Sequence, residues 1–263
     1  MRSPLLRLED LVSADTPIRR VSDRILLLTT FFFIITVVSS DPYAVGQLFP
    51  LLIFPLSIGI LSAIPAIPIL RRLIFAIPFV FFIGIWNPIF DRTLVPFMGI
   101  EMARGWFSFF SIQIRLLLTV SSTLILTGII GFTGMNRALL ELKIPAAFVS
   151  QLMFLNRYME VLVEESRSIQ RAYVLRCQRI TMGSFGPLMG QLLVRTYYRS
   201  ERIERAMLCR EYTPYFSIRA GASPAPLSPL DALFLTGWGV FFLSVRCIHI
   251  PLLSGEVFLR RFL

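Results

Sequence analysis

The sequence predicts an all-α integral membrane protein with about five transmembrane helices and two long cytoplasmic amphipathic helices. Three observations carry that expectation. Only 16% of the 263 residues are charged against 55% hydrophobic, with a mean hydropathy of +0.71, whereas a soluble domain carries about 25% charged residues. The apolar residues stand in blocks, and a bilayer core about 30 Å thick needs roughly 20 of them per helix. One stretch, 133–229, is too charged to cross a membrane and too long for a loop without structure. Helices are the spanning form expected, since they satisfy their own backbone polar groups in lipid, and the alternation of a membrane barrel is missing.

Residues 25–39 (ILLLTTFFFIITVVS) form the first predicted span, broken by Asp41 and Pro42. The second covers 45–64 and includes Pro55, which neighbouring helices can accommodate in a membrane. Pro65 and Pro68 lead to Arg71 and Arg72, and the third span follows at 73–90, with Trp86 as an interface anchor. A polar loop with Asp91, Arg92, Glu101 and Arg104 precedes the fourth span at 116–132, and the last covers 230–245. The predicted organisation is therefore 1–132, an N-terminal segment with four spans; 133–229, a cytoplasmic helical region; and 230–263, the last span and tail. The segment 1–24 is polar and charged, so no cleaved signal peptide is expected.

The net charge is +10, and Lys143 is the only lysine. In a membrane chain such a balance points to the positive-inside rule rather than to nucleic acid. With the N-terminus inside, segments 1–24, 65–72 and 133–229 hold 5, 2 and 13 of the 26 basic residues. Five spans would leave Arg246, Arg260 and Arg261 outside, against the trend. Cys177, Cys209 and Cys247 fit no zinc spacing and His249 is the sole histidine, so no metal site is expected.

Region 133–229 reads as two helices. In the first, Phe148, Leu152, Leu155, Met159, Leu162, Ile169 and Tyr173 recur at spacings of three, four or seven, opposite Glu160, Glu164, Arg167 and Arg171. Pro145 suits its start, and Gly183, Gly186 and Pro187 interrupt the pattern. The second sets Met189, Leu192, Ile203, Ala206 and Met207 against Arg195, Arg199, Arg202 and Arg205, and Pro214 ends it. Residues 220–229 (AGASPAPLSP) link it to the last span. Near the end of each helix stands Arg-Ala, three residues, then Arg: Arg171-Ala172 to Arg176, and Arg205-Ala206 to Arg210. Spacing alone favours solvated charges, since basic residues are ordinary near helix C-termini.

The residues around these arginines resemble the coupling-helix region of the transmembrane T components of energy-coupling factor (ECF) transporters, in particular the cobalt-type, CbiQ-like branch. The likeness rests on 140–145 (LELKIP), Asn156-Arg157-Tyr158, Glu164-Glu165, Arg199-Ser200-Glu201-Arg202 with Ala206-Met207 and Arg210, and the N-terminal Thr16-Pro17-Ile18-Arg19-Arg20. The resemblance implies a non-catalytic coupling subunit with no cofactor of its own. By resemblance, Arg176 and Arg210, with Ala172, Ala206 and Met207, meet two ATPase subunits, identical or different, which bind the ATP. A small membrane subunit binds the cargo, a metal ion such as cobalt or nickel, or a vitamin. The family places a glycine after each arginine. Cys177 and Glu211 stand there instead, which predicts altered helix endings.

No phosphate-binding loop precedes Lys143, so ATP hydrolysis by this chain is not expected. Two other readings compete. An intramembrane lipid-modifying enzyme using Glu164 and Glu165 would want acidic residues within spans, which are nearly free of them. A stand-alone permease would want an intramembrane polar cluster, and none is visible.

Overall fold

The computed structural model describes residues 18, 21–41, 45–62, 66–90, 94–97, 100–177, 181–212 and 228–247. Predicted features at 1–17, Arg19, Arg20, Pro65, Asp91, Arg92, Pro214, 220–227, His249, Arg260 and Arg261 lie outside them. The chain divides into two compact units, one of Met1–Met135 with Pro226–Leu263, the other of Asn136–Ala225.

The first unit begins with helix α1, Asp23–Val38, entered from an extended Ser22 and carrying Asp23 in its first turn. Thr29, Thr30 and Thr36 each donate their hydroxyl to the carbonyl four residues back. These bonds let threonine sit within an apolar helix without an unsatisfied group. The second predicted span is two helices, α2 (Val45–Leu51) and α3 (Ile53–Leu61). Pro55 has no N–H to give the carbonyl of Leu51, and its ring crowds that residue, which accounts for the break at Leu52. Helix α4 (Ala66–Gly84) starts before the predicted third span and takes in Arg71 and Arg72. Pro68 falls in its first turn, where a missing N–H costs nothing. The short α5 (Trp86–Phe90) follows.

The predicted polar loop holds an antiparallel hairpin, β1 (Leu94–Phe97) with β2 (Ile100–Ala103), in the register Leu94↔Ala103 to Phe97↔Ile100. The charges of this segment concealed two short, largely apolar runs separated by Met98-Gly99. Helix α6 (Arg104–Glu141) contains the fourth predicted span and is bent at Gly131, with φ 65° and ψ −178°. Only glycine occupies that region readily, so α6 is two helices joined by one residue. Helix α9, Pro229–Cys247, closes the unit.

Among the described residues the predicted spans lie largely on helix, and three stretches are long and apolar enough to cross a bilayer: Ile69–Phe90, Gly105–Glu141 and Pro229–Cys247. The 16 residues of α1 extend about 24 Å, short of the hydrocarbon thickness, and α2–α3 is interrupted. Large apolar side chains cover the outside, with Phe75 77% and Phe90 80% exposed. Such a surface aggregates in water and is solvated by lipid. The interior is aromatic: Phe33 stacks on Phe54 at 4.5 Å, and Trp238 and Phe242 meet Phe54 edge-on at 4.9 and 5.3 Å.

Helices α1 and α9 are joined at both ends. At one, the Asp231 carboxylate, 2% exposed, accepts from the Ser22 backbone N–H and hydroxyl, both at 2.9 Å, and from the Ser228 N–H at 3.2 Å. At the other, Arg246 donates to the carbonyl of Ser39, and Arg115 of α6 donates to that of Ser40 at 2.7 Å. The early residues of α1 thus meet the early residues of α9, and the late meet the late, so the two helices run parallel. Arg115 does not extend freely toward water as a helix-end arginine usually does; it caps α1, as Arg246 does.

The second unit is built on α7, Ala146–Cys177, and α8, Met182–Leu208. Thr181 and Ser184 close a capping box at the start of α8, satisfying orphan backbone donors. The helices run antiparallel: Glu165 pairs with Arg195, and the Phe154 and Tyr212 rings lie 6.1 Å apart.

Candidate functional site

The two arginines singled out by the sequence stand at the C-terminal ends of α7 and α8, both exposed. Because the helices are antiparallel, the ends face opposite directions. Tyr212 lies against Phe154, and Arg176 comes 22 positions after Phe154, which at 1.5 Å per residue separates the ends by about 30 Å. The site is therefore two separate tips, not one constellation.

Each tip carries an exposed leucine beside its arginine, Leu175 at 86% and Leu208 at 70%. Ala172 and Ala206 are exposed one turn earlier, keeping the helix surface low there. Met207 is half-buried and forms part of a cleft of about 610 Å³ between the helices, which Phe154, Tyr158, Leu162, Ile203 and Tyr212 also line. It supports the tip from beneath, while the alanines and arginines face outward. Sequence periodicity gave no sign of the two leucines, because an exposed leucine at a helix end breaks no pattern.

The end of α8 corrects the expectation of an altered ending. Glu211 adopts φ 51°, and the N–H groups of Tyr212 and Glu211 bond the carbonyls of Met207 and Leu208 at 3.0 and 3.1 Å. This is a Schellman ending, with Arg210 as the cap residue and a glutamate in the left-handed position. A non-glycine residue is held there at a cost of about 1 kcal/mol. Lys143 does the same at the end of α6, with φ 63° and bonds from Ile144 to Leu139 and from Lys143 to Leu140. Helix α7 continues through Cys177.

Among the described residues Arg176, Arg210 and Glu211 have no ion-pair partner, whereas Arg195 pairs with Glu165, and Arg205 with Glu201 at 3.7 Å. Glu165, an acid of the rival enzyme reading, is thus engaged in holding α7 to α8. The sequence showed Arg195 on the polar face but not its partner, 30 positions away. The apolar stripe of α7 is only partly covered: Ile169 is buried, while Phe148, Leu155 and Met159 are exposed. No three His, Cys, Asp or Glu side chains among the described residues are grouped to hold a metal ion.

A family model described as CbiQ, cobalt transport protein, matches residues 14–219. No curated protein matches the chain significantly.

Proposed function

The chain belongs to the CbiQ family of cobalt transport proteins, and we propose that it acts as the transmembrane coupling subunit of an ECF-type importer. In this reading two ATPase subunits dock on the cytoplasmic side, one on the Arg176 tip and one on the Arg210 tip. Each tip inserts its leucine and pairs its arginine with an acidic side chain, a charge-assisted bond of roughly 1.5–3 kcal/mol. Arginine suits a contact that bears load, since it is always charged and its planar fork fixes direction. ATP-driven approach of the two ATPases acts on tips about 30 Å apart and shifts α7 against α8. The exposed Phe148, Leu155 and Met159, spaced for one helix face, are assigned to a small substrate-binding membrane subunit that carries the cobalt ion or a similar micronutrient. ATP is held by the partners, and this chain contributes no catalytic group. In this reading the N-terminus and both tips are cytoplasmic, which the 20 basic residues of 1–24, 65–72 and 133–229 support through the positive-inside rule.

The observation that carries the reading is the pair of unpartnered arginines on opposed, apolar-tipped helix ends. The test is co-purification of ATPase with the Arg176→Glu, Arg210→Glu double variant, beside uptake at matched expression. Charge reversal at a partly desolvated contact costs several kcal/mol, and two linked contacts fail together through effective concentration. ATPase retention and uptake should both collapse, with insertion intact. Retention and uptake equal to the parent protein would reduce the arginines to surface charges.

A further inference from the structure

The two tips differ in charge. Residues 166–177 on α7 contain three arginines (167, 171 and 176) and no acid, whereas 201–211 contain three arginines and three glutamates. On the second tip Glu201 is engaged by Arg205. Glu211 and Arg210 are adjacent, exposed and unpaired, with each other or with any described residue. The left-handed turn at Glu211 takes the backbone off the helical path directly after the arginine. The tip therefore offers two free charges of opposite sign side by side. A groove carrying only acids would suit the α7 tip and repel Glu211 from the α8 tip. The strained backbone at Glu211 also runs counter to what stability alone favours, and strain of this kind collects at functional positions.

We propose that Glu211 is a second docking group, and that the ATPase surface receiving the α8 tip places a basic side chain opposite it, next to the acid that takes Arg210. The two tips are then not interchangeable: α7 addresses an acidic groove, α8 a groove of paired charges. This rests on the coupling role proposed above and specifies the chemistry of one of its partners. Opposed charges across an interface hold the matching surface and disfavour wrong ones, so Glu211 acts both as a contact and as a selector.

The test uses the full chain co-expressed with its ATPases and purified in mild detergent, with ATPase retention measured against salt concentration. Variants are Glu211→Gln, Glu211→Gly and Glu211→Lys, with Arg210→Glu as reference. Gln and Gly should each weaken retention about tenfold, and Lys further, as expected for loss and reversal of an interfacial charge. Glycine relieves the left-handed strain, so a loss there cannot come from a damaged helix end. Retention by Gln and Gly equal to or above the parent protein would overturn the proposal and leave Glu211 as a charge that merely dilutes Arg210. If Arg210→Glu and Arg176→Glu also retain ATPase normally, the coupling role itself has failed. If they lose it while the Glu211 variants do not, only the selector is wrong.

Discussion

Replacing Asp231 with alanine should be among the most damaging single changes in the membrane unit, although the residue lies far from both tips in sequence. Its carboxylate, 2% exposed, accepts two bonds from Ser22 and one from Ser228. Two of those donors are backbone N–H groups at the starts of α1 and α9, which have no intrahelical partner. Alanine leaves three donors in a partly buried site with no protein acceptor. Each unsatisfied group costs about 1–3 kcal/mol, less what relaxation and entering water recover, so a total of about 3–5 kcal/mol is expected. Asparagine keeps the shape and one acceptor oxygen but turns an amide donor toward part of the donor set, and should cost about 1–3 kcal/mol. Ser22→Ala removes only the hydroxyl bond and should cost about 1 kcal/mol. Thermal unfolding of the detergent-purified chain, followed by tryptophan fluorescence, orders the three variants. A double-mutant cycle between Ser22→Ala and Asp231→Ala should show clear non-additivity. An alanine variant within about 1 kcal/mol of the parent, or strict additivity, would refute the role given to this carboxylate.

Gly131→Ala should lower thermal stability by about 1–3 kcal/mol, because φ 65° with ψ −178° is strained for any side chain; an unchanged melting temperature would contradict the bend. Glu211→Gly should do the opposite locally, stabilising the end of α8 by about 1 kcal/mol, read as slower amide exchange at residues 209–212 even though ATPase docking falls. For topology, a cysteine at Gly190 in a background lacking Cys177, Cys209 and Cys247 has open space for its side chain, whereas the nearby Ser184 is buried in the capping box. An impermeant thiol reagent should fail to label Gly190→Cys in intact cells and label it in inverted vesicles; ready labelling from outside would reverse the orientation.

The fold class was legible because lipid imposes one rule on sequence. Long apolar blocks such as 73–90 and 116–132 have few alternatives to helix, and they lie within α4–α5 and α6. What the blocks hid were their limits. Arg71, Arg72 and Arg104 read as loop residues by charge, yet all three are helical. The hairpin at 94–103 escaped because its apolar runs are four residues each and carry Glu101 and Pro96. On α7 the 3.6-residue period was right, but the covered side centres on Phe154, Tyr158, Leu162 and Ile169 rather than on Phe148, Leu155 and Met159, which are exposed. Periodicity reports that a face is apolar, not which neighbour covers it. The tip arginines were singled out by the resemblance to coupling helices, since their repeated setting alone favoured solvated charges. Their separation was not legible, since it depends on the antiparallel pairing through Glu165 and Arg195, a contact between positions that sequence spacing does not relate.

The C-terminal arginines illustrate how a local contact resolves what a charge count leaves open. Counted as loop charges, Arg246 and its successors argue against an odd number of spans. Arg246, however, is committed to the Ser39 carbonyl at the late end of α1, and Asp231 is committed to Ser22 at the early end. Fifteen positions of α9 therefore match seventeen of α1 in the same direction. Two parallel spans in one membrane have an odd number of crossings between them, so the end of α9 emerges on the side where α1 emerges. If the N-terminus is cytoplasmic, Arg246 is outside. Its guanidinium there neutralises the negative end of a helix only 16 residues long, joined by Arg115 from α6. A short span with exposed terminal carbonyls near the interface needs such donors more than a long one does. With that orientation, Arg246 serves as a helix cap on the Ser39 carbonyl and not as a topology signal.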